Sequence, residues 1–181
     1  MACKIRGGTQ IEFAIAVAVI CALIVIALPK ISQLPVYARM AKLKTLRASV
    51  ISASRMVHGA LLTRSGKGDS KVCAGRNGVA DNLGGATGTL CMDEGIINLV
   101  YGYPAVTEFA NTGILSAAGL TIAFNPTVAQ LQARGYDYIK VGNVATFQVI
   151  GGSDVRHCFF TYTEATENSE PVVSAIVTTG C

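Results

Sequence analysis

The chain has 181 residues, of which 51% are apolar and only 14% charged. That composition excludes a disordered chain, which is charge-rich and apolar-poor, and five prolines with glycine in no fixed period exclude a collagen-like one. The net charge of +4 conceals a split: residues 8–71 carry nine Lys or Arg against two acids, whereas residues 72–181 carry four against nine. The length suits one ordinary domain with an added segment, enough to bury a modest core.

In chain order, a short basic head (MACKIR, residues 1–6) is followed by Gly7 and Gly8. Residues 11–28, IEFAIAVAVICALIVIAL, then hold Glu12 as their only charge. At about 1.5 Å per residue this run spans roughly 27 Å as a helix, close to the hydrocarbon thickness of a bilayer. No water-facing stripe interrupts it, which excludes an amphipathic surface helix. Three readings are open: a secretory signal peptide, a simple membrane anchor, or a span in which Glu12 has a task. A signal peptide wants a small-residue cleavage site after its apolar core. Here Ala27 is followed by LPKISQ and then a helical pattern, so that reading is the weakest. A carboxylate beside the start of an apolar span is costly, and such residues usually have a partner.

The segment Gly7-Gly8-Thr9-Gln10-Ile11-Glu12 resembles the type IV prepilin signature: a Gly, a hydrophobic residue (usually Phe), then Thr, Leu, Ile and Glu. Gly8 and Gln10 depart from it. The resemblance implies cleavage by a prepilin peptidase between Gly7 and Gly8, with residues 1–7 as leader and Gly8 methylated as the new terminus. Glu12 then stands at the fifth mature position, that of the family's glutamate. Pro29 stands at the twenty-second, where many pilins carry a helix-kinking proline. The resemblance also implies that Glu12 pairs with a neighbouring copy's terminal amine, since in low dielectric an ion pair is favoured over two unpaired charges.

From Ile31 to about Arg64 apolar residues keep a helical period: Val36, Met40, Leu43, Leu46, Val50, Ala53, Val57 and Leu61. Arg39, Lys42, Arg47 and Arg55 lie mostly off that stripe, and no acid occurs between Glu12 and Asp69. The pattern predicts one long helix over residues 8–64. Its first half (11–28) would be membrane-embedded and its second half would lay one face on a globular head, residues 65–181. Pro29 and Pro35 remove backbone donors and predict bends, and Gly66-Lys67-Gly68 predicts the end. The basic face suits either a solvated surface beside anionic lipid or contact with the acidic head of an adjacent copy. Nucleic acid is not an expected partner, because this face adjoins a membrane span and the head is acidic.

Cys3 falls in the leader and Cys21 in the apolar run, where it reads as a small apolar filler. Cys73, Cys91, Cys158 and Cys181 remain, and four cysteines allow three connectivities. Local closure favours Cys73–Cys91 and Cys158–Cys181, each contributing about 3 kcal/mol by restricting the unfolded chain. Zinc is the rival reading, but no CxxC occurs, and His157 beside Cys158 is the only hint. Residues 74–90 read as a Gly- and Asn-rich loop, and Ile96–Tyr101 as a strand ending in Gly102-Tyr103-Pro104. Residues 105–118 show helical spacing. Residues 136–142, 145–151, 157–163 and 171–179 read as strands, predicting a small antiparallel sheet laid on the helix.

Residues 98–120, NLVYGYPAVTEFANTGILSAAGL, are similar to the Gly-Tyr-Pro segment of mannose-sensitive haemagglutinin pilins. So is the ending HCFFTYTEATENSEPVVSAIVTTGC, residues 157–181. In related pilins the C-terminal cysteine pair closes a loop used in subunit contacts and adhesion.

No enzyme constellation is legible. His58 and His157 cannot be tied to a nucleophile by spacing. Gly151-Gly152-Ser153-Asp154 reads as turn chemistry, and the glycine-rich residues 84–88 lack a phosphate-loop lysine. No catalytic residue, metal or cofactor is implied.

The expectation is therefore an α+β protein with the type IV pilin fold: a precursor in the bacterial inner membrane, then a subunit of an extracellular adhesive pilus. Its partners would be copies of itself, the prepilin peptidase, the assembly platform and a carbohydrate or surface receptor. The alternatives are a minor pilin or type II secretion pseudopilin and, in another class, a monomeric anchored binding domain outside the cytoplasm.

Overall fold

The computed structural model describes residues 10–31, 33–64, 66–74 and 78–181; at residues 25–31 the backbone alone is described. The chain divides into two compact units, residues 1–38 and 39–181.

The first unit holds α1 (Gln10–Ile31), with Glu12 in its first turn, and the start of α2 (Leu34–Arg64). Pro29 lies within α1, which continues to Ile31. Pro35 is the second residue of α2, where a missing N–H removes no intrahelical bond because first-turn donors have none. The interruption between the helices thus falls after one proline and before the other. Among the described residues no helix is long and apolar enough to cross a membrane. The expected span, residues 11–28, extends over positions 25–28, whose side chains are outside that description.

The second unit is α+β: the rest of α2 packs on two antiparallel sheets. Its inner face is Leu43, Leu46, Val50, Ala53, Ser54, Val57 and Leu61, buried at successive three- and four-residue steps. Val36 and Met40 were expected on this stripe, but Val36 is 39% exposed and Met40 only partly buried, so burial begins at Leu43. The first sheet pairs β1 (Gly88–Met92), β2 (Gly95–Val100) and β3 (Tyr103–Pro104), with Leu90 opposite Ile97. Alternation along β2 turns Ile97 and Leu99 inward, where they meet Val57 and Leu61 of α2. After two short helices, α3 (Ile114–Ala117) and α4 (Val128–Ala133), comes the second sheet. It runs β4 (Tyr136–Val141), β5 (Val144–Val149), β6 (Phe159–Thr163) and β7 (Val172–Val173) in sequence order. Phe147, Phe160 and Tyr162 form its buried face with Leu43, Leu46 and Val50. Tyr138 stands edge-on to Phe147, which stacks on Phe160.

Three expectations need correction, and one element was not expected. Residues 88–90 belong to β1 rather than a loop, because Leu90 has an apolar partner waiting in Ile97. Residues 105–113 are not helical. Their backbone bonds to other parts of the fold and across the loop: Ala105 N–H donates to Asn98 O, Val106 N–H to the Glu164 carboxylate and Ile114 N–H back to Ala105 O. Only residues 114–117 keep the helical turn. The last expected strand shrinks to Val172–Val173, with one further bridge between Phe159 and Val177. Finally, α4 was missed although Thr127 and Gln130 form a capping box, legible as a polar residue followed three later by Gln.

Candidate assembly surface

Gly7 and Gly8, the expected processing site, lie outside the described residues. Glu12, the expected assembly residue, lies in the first turn of α1 and is exposed. Over residues 11–24 the helix otherwise presents apolar side chains in every direction. Ile11, Phe13, Ile15, Val17, Ile20 and Leu23 are 42–74% exposed, and successive 100° steps place them all around the axis. A helical stretch of Phe, Ala, Ile, Val, Cys and Leu alone, residues 13–24, gives no polar face.

The two expected disulfides are present. Cys73–Cys91 ties the segment after α2 to β1, and Cys158–Cys181 ties the start of β6 to the chain end. Around the second, Arg39 Nε donates to Cys181 O, and Asp154 N–H donates to Gly180 O at 3.1 Å. A Cβ at Gly180 would lie 2.0 Å from Asp154 O, so only glycine fits there. This pins the C-terminal segment to α2. Arg47 reinforces it from one helical stretch further on, with Nε donating to Ser174 O at 2.7 Å and Nη2 to Val173 O at 3.3 Å.

The candidate chemical groups among the described residues are dispersed. His157 Nδ1 lies 2.8 Å from Asp154 Oδ2, while the Ser153 hydroxyl donates to Gly180 O at 3.4 Å, so the three do not form a relay. The His157 imidazole and the Arg156 backbone N–H hold the Asp154 carboxyl below its usual range. His58 Nδ1 lies 3.0 Å from Gly102 O, and its ring stacks on Tyr103 with centroids 4.0 Å apart, so that tyrosine packs on helix α2. Asp81 Oδ1 accepts from Leu83 N–H at 3.0 Å and Thr89 N–H at 2.7 Å. Slight burial pushes its pKa up, but these bonds outweigh that and leave it lowered. Asp69 brings its carboxylate within 4.8 Å of the Cys73 and Cys91 sulfurs, a cluster the sequence spacing did not reveal. With both sulfurs in a disulfide, neither is the thiolate that ligates metal.

Two neighbouring depressions adjoin α2. In one of about 580 Å³, Lys44, Arg47 and Arg55 surround Ala48, Ile51, Ser52 and Met56. The other, of about 370 Å³, shares Ser52 and Met56 and adds Ser49, Asp93, Glu94 and Phe124. Asp93 and Glu94 form the exposed turn between β1 and β2. Gly95 beside them has φ +155°, and a Cβ there would lie 2.6 Å from the Phe124 ring, so the ring closes against bare backbone. Comparison with protein-family models, with curated proteins and with solved structures gives no match.

Proposed function

We propose that this chain is the structural subunit of a type IV pilus resembling the mannose-sensitive haemagglutinin kind, assembled through its N-terminal helix. The observation that carries the reading is α1: a 22-residue helix whose described side chains from Phe13 to Ile24 are apolar and exposed around the axis. Roughly 25 cal/mol is at stake per Å² of apolar surface left in water, so this helix needs a bilayer or other copies around it. Residues 11–28 hold the subunit in the inner membrane before assembly and pack in the filament core afterwards. Cleavage after Gly7 frees the Gly8 amine, which a neighbour's Glu12 answers. The disulfide-closed α+β unit then coats the filament and meets the surface to which it attaches.

Mass spectrometry of the mature protein tests this, together with electron microscopy of material sheared from cells. A terminus at Gly8, with added methyl, in protein recovered from filaments is the expected result. An intact Met1 on isolated molecules overturns it in favour of a membrane-tethered binding domain.

A further inference from the structure

The cavity of about 370 Å³ beside α2 is built by three elements of the second unit and plays no part in the filament reading. Helix α2 supplies Ser52 and Met56, the β1–β2 turn supplies Met92, Asp93 and Glu94, and α3 supplies Ser116, with Phe124 beside them. Its volume falls within the range of small-molecule sites, about 300–1,000 Å³. Ser116 is 5% exposed, and its Oγ has no hydrogen-bond partner. An unpaired buried hydroxyl is costly, and on a cavity wall it marks a bond that a ligand can complete. The acidic turn is held by the pairing of Met92 with Gly95, and Gly95 brings bare backbone against the Phe124 ring. The carboxylates therefore stand on a preformed wall, which lowers the ordering cost of binding.

We propose that this cavity binds a small organic monocation, an ammonium group on an apolar body. Asp93 and Glu94 supply the negative charge; both are exposed, and neither joins a salt bridge among the described residues. The Ser116 hydroxyl accepts a hydrogen bond from the ammonium, and the Phe124 ring attracts a cation placed over it. Met56 and Met92 are unbranched and polarizable, so they fit themselves around the apolar body. Among the described lining residues no Lys, Arg or His occurs. Lys44, Arg47 and Arg55 line the adjoining depression instead, which shares Ser52 and Met56. Positive charge that near disfavours a second one on the ligand, which selects a monocation over a polyamine or a divalent metal ion.

Methionine-methyl NMR of the full-length chain in neutral detergent micelles, titrated with benzylammonium chloride, tests the site. Met56 and Met92 line the cavity and Met40 does not. Saturable shifts at Met56 and Met92 are expected, with a Kd on the order of 1 mM and Met40 unmoved. Neutral benzyl alcohol, of the same shape, should bind at least about tenfold more weakly to the unmodified chain. Asp93→Asn with Glu94→Gln should weaken benzylammonium by a similar factor, and Ser116→Ala by about two- to tenfold. Ser52→Phe, at an exposed position, should abolish the shifts by filling the space. The absence of saturable shifts overturns the proposal, as does equal binding of benzyl alcohol, a comparison that needs no variant to fold. Equal shifts at Met40 also overturn it, because they mark partition into the detergent. Calcium chloride giving the same shifts at Met56 and Met92 overturns it in favour of a metal ion.

Discussion

Single residues carry several separable roles. Glu12→Ala is expected to leave cleavage after Gly7 intact while filaments disappear, read by N-terminal mass and by microscopy; abundant pili from that variant would contradict the pairing role. Asp81 and Asp154 have folded-state pKa values below their unfolded ones. A depressed carboxyl contributes stability above its unfolded pKa and loses it as pH falls through the folded value. The acid limb of the stability profile should therefore fall below about pH 4, and Asp81→Asn with Asp154→Asn should flatten it. Denaturant titrations followed by circular dichroism across that range check the slope. Asp81 falls in the segment read as a Gly- and Asn-rich loop, and the Leu83 and Thr89 amides that hold it are placed by a fold the spacing does not reveal. Asn82 was still less accessible: its backbone has φ +54° and its Nδ2 donates to Lys67 O and Asp69 Oδ1.

At the level of elements, α2 was the most legible part of the chain, since burial at Leu43, Leu46, Val50, Val57 and Leu61 is what a 3.6-residue period demands. Leu43→Ala or Leu46→Ala should cost about 2–5 kcal/mol in urea unfolding, because both face the second sheet with almost no exposed surface. The adjacent Lys44→Ala, on the exposed flank, should change stability by no more than about 0.5 kcal/mol. The central strands of the second sheet were also readable, as runs of β-branched and aromatic residues between turns. Residues 105–113 were misread because helical spacing of Val106 and Phe109 is a weak signal against tertiary demand. Val106 is drawn to Glu164, and the Tyr138 hydroxyl donates to Thr107 O at 2.8 Å, so the sheet holds this segment in place. The two disulfides followed local closure, each bridging a separation of about twenty residues. Replacing Cys158 and Cys181 by serine should lower unfolding free energy by about 3 kcal/mol and loosen the segment that Arg39 and Arg47 grip, measurable by hydrogen exchange at residues 173–181.

The whole molecule divides its labour along the chain. In its first unit the described residues 11–24 carry exposed apolar side chains, and its second is a body packed around α2 and two sheets. In the proposed filament, charge contacts between copies would be screened by salt over about 8–10 Å, whereas burial of α1 would not. Raising ionic strength should therefore leave filament length unchanged. Breakage into single subunits at moderate salt would place the cohesive energy in the charges instead. In the proposed filament Cys21 would report on the core: it is exposed on α1, is the one free cysteine among the described residues and lies about 13 Å along the axis from Glu12. A nitroxide attached there before polymerisation would turn each rod into a ruler, and dipolar spectroscopy would return the longitudinal offset between adjoining rods.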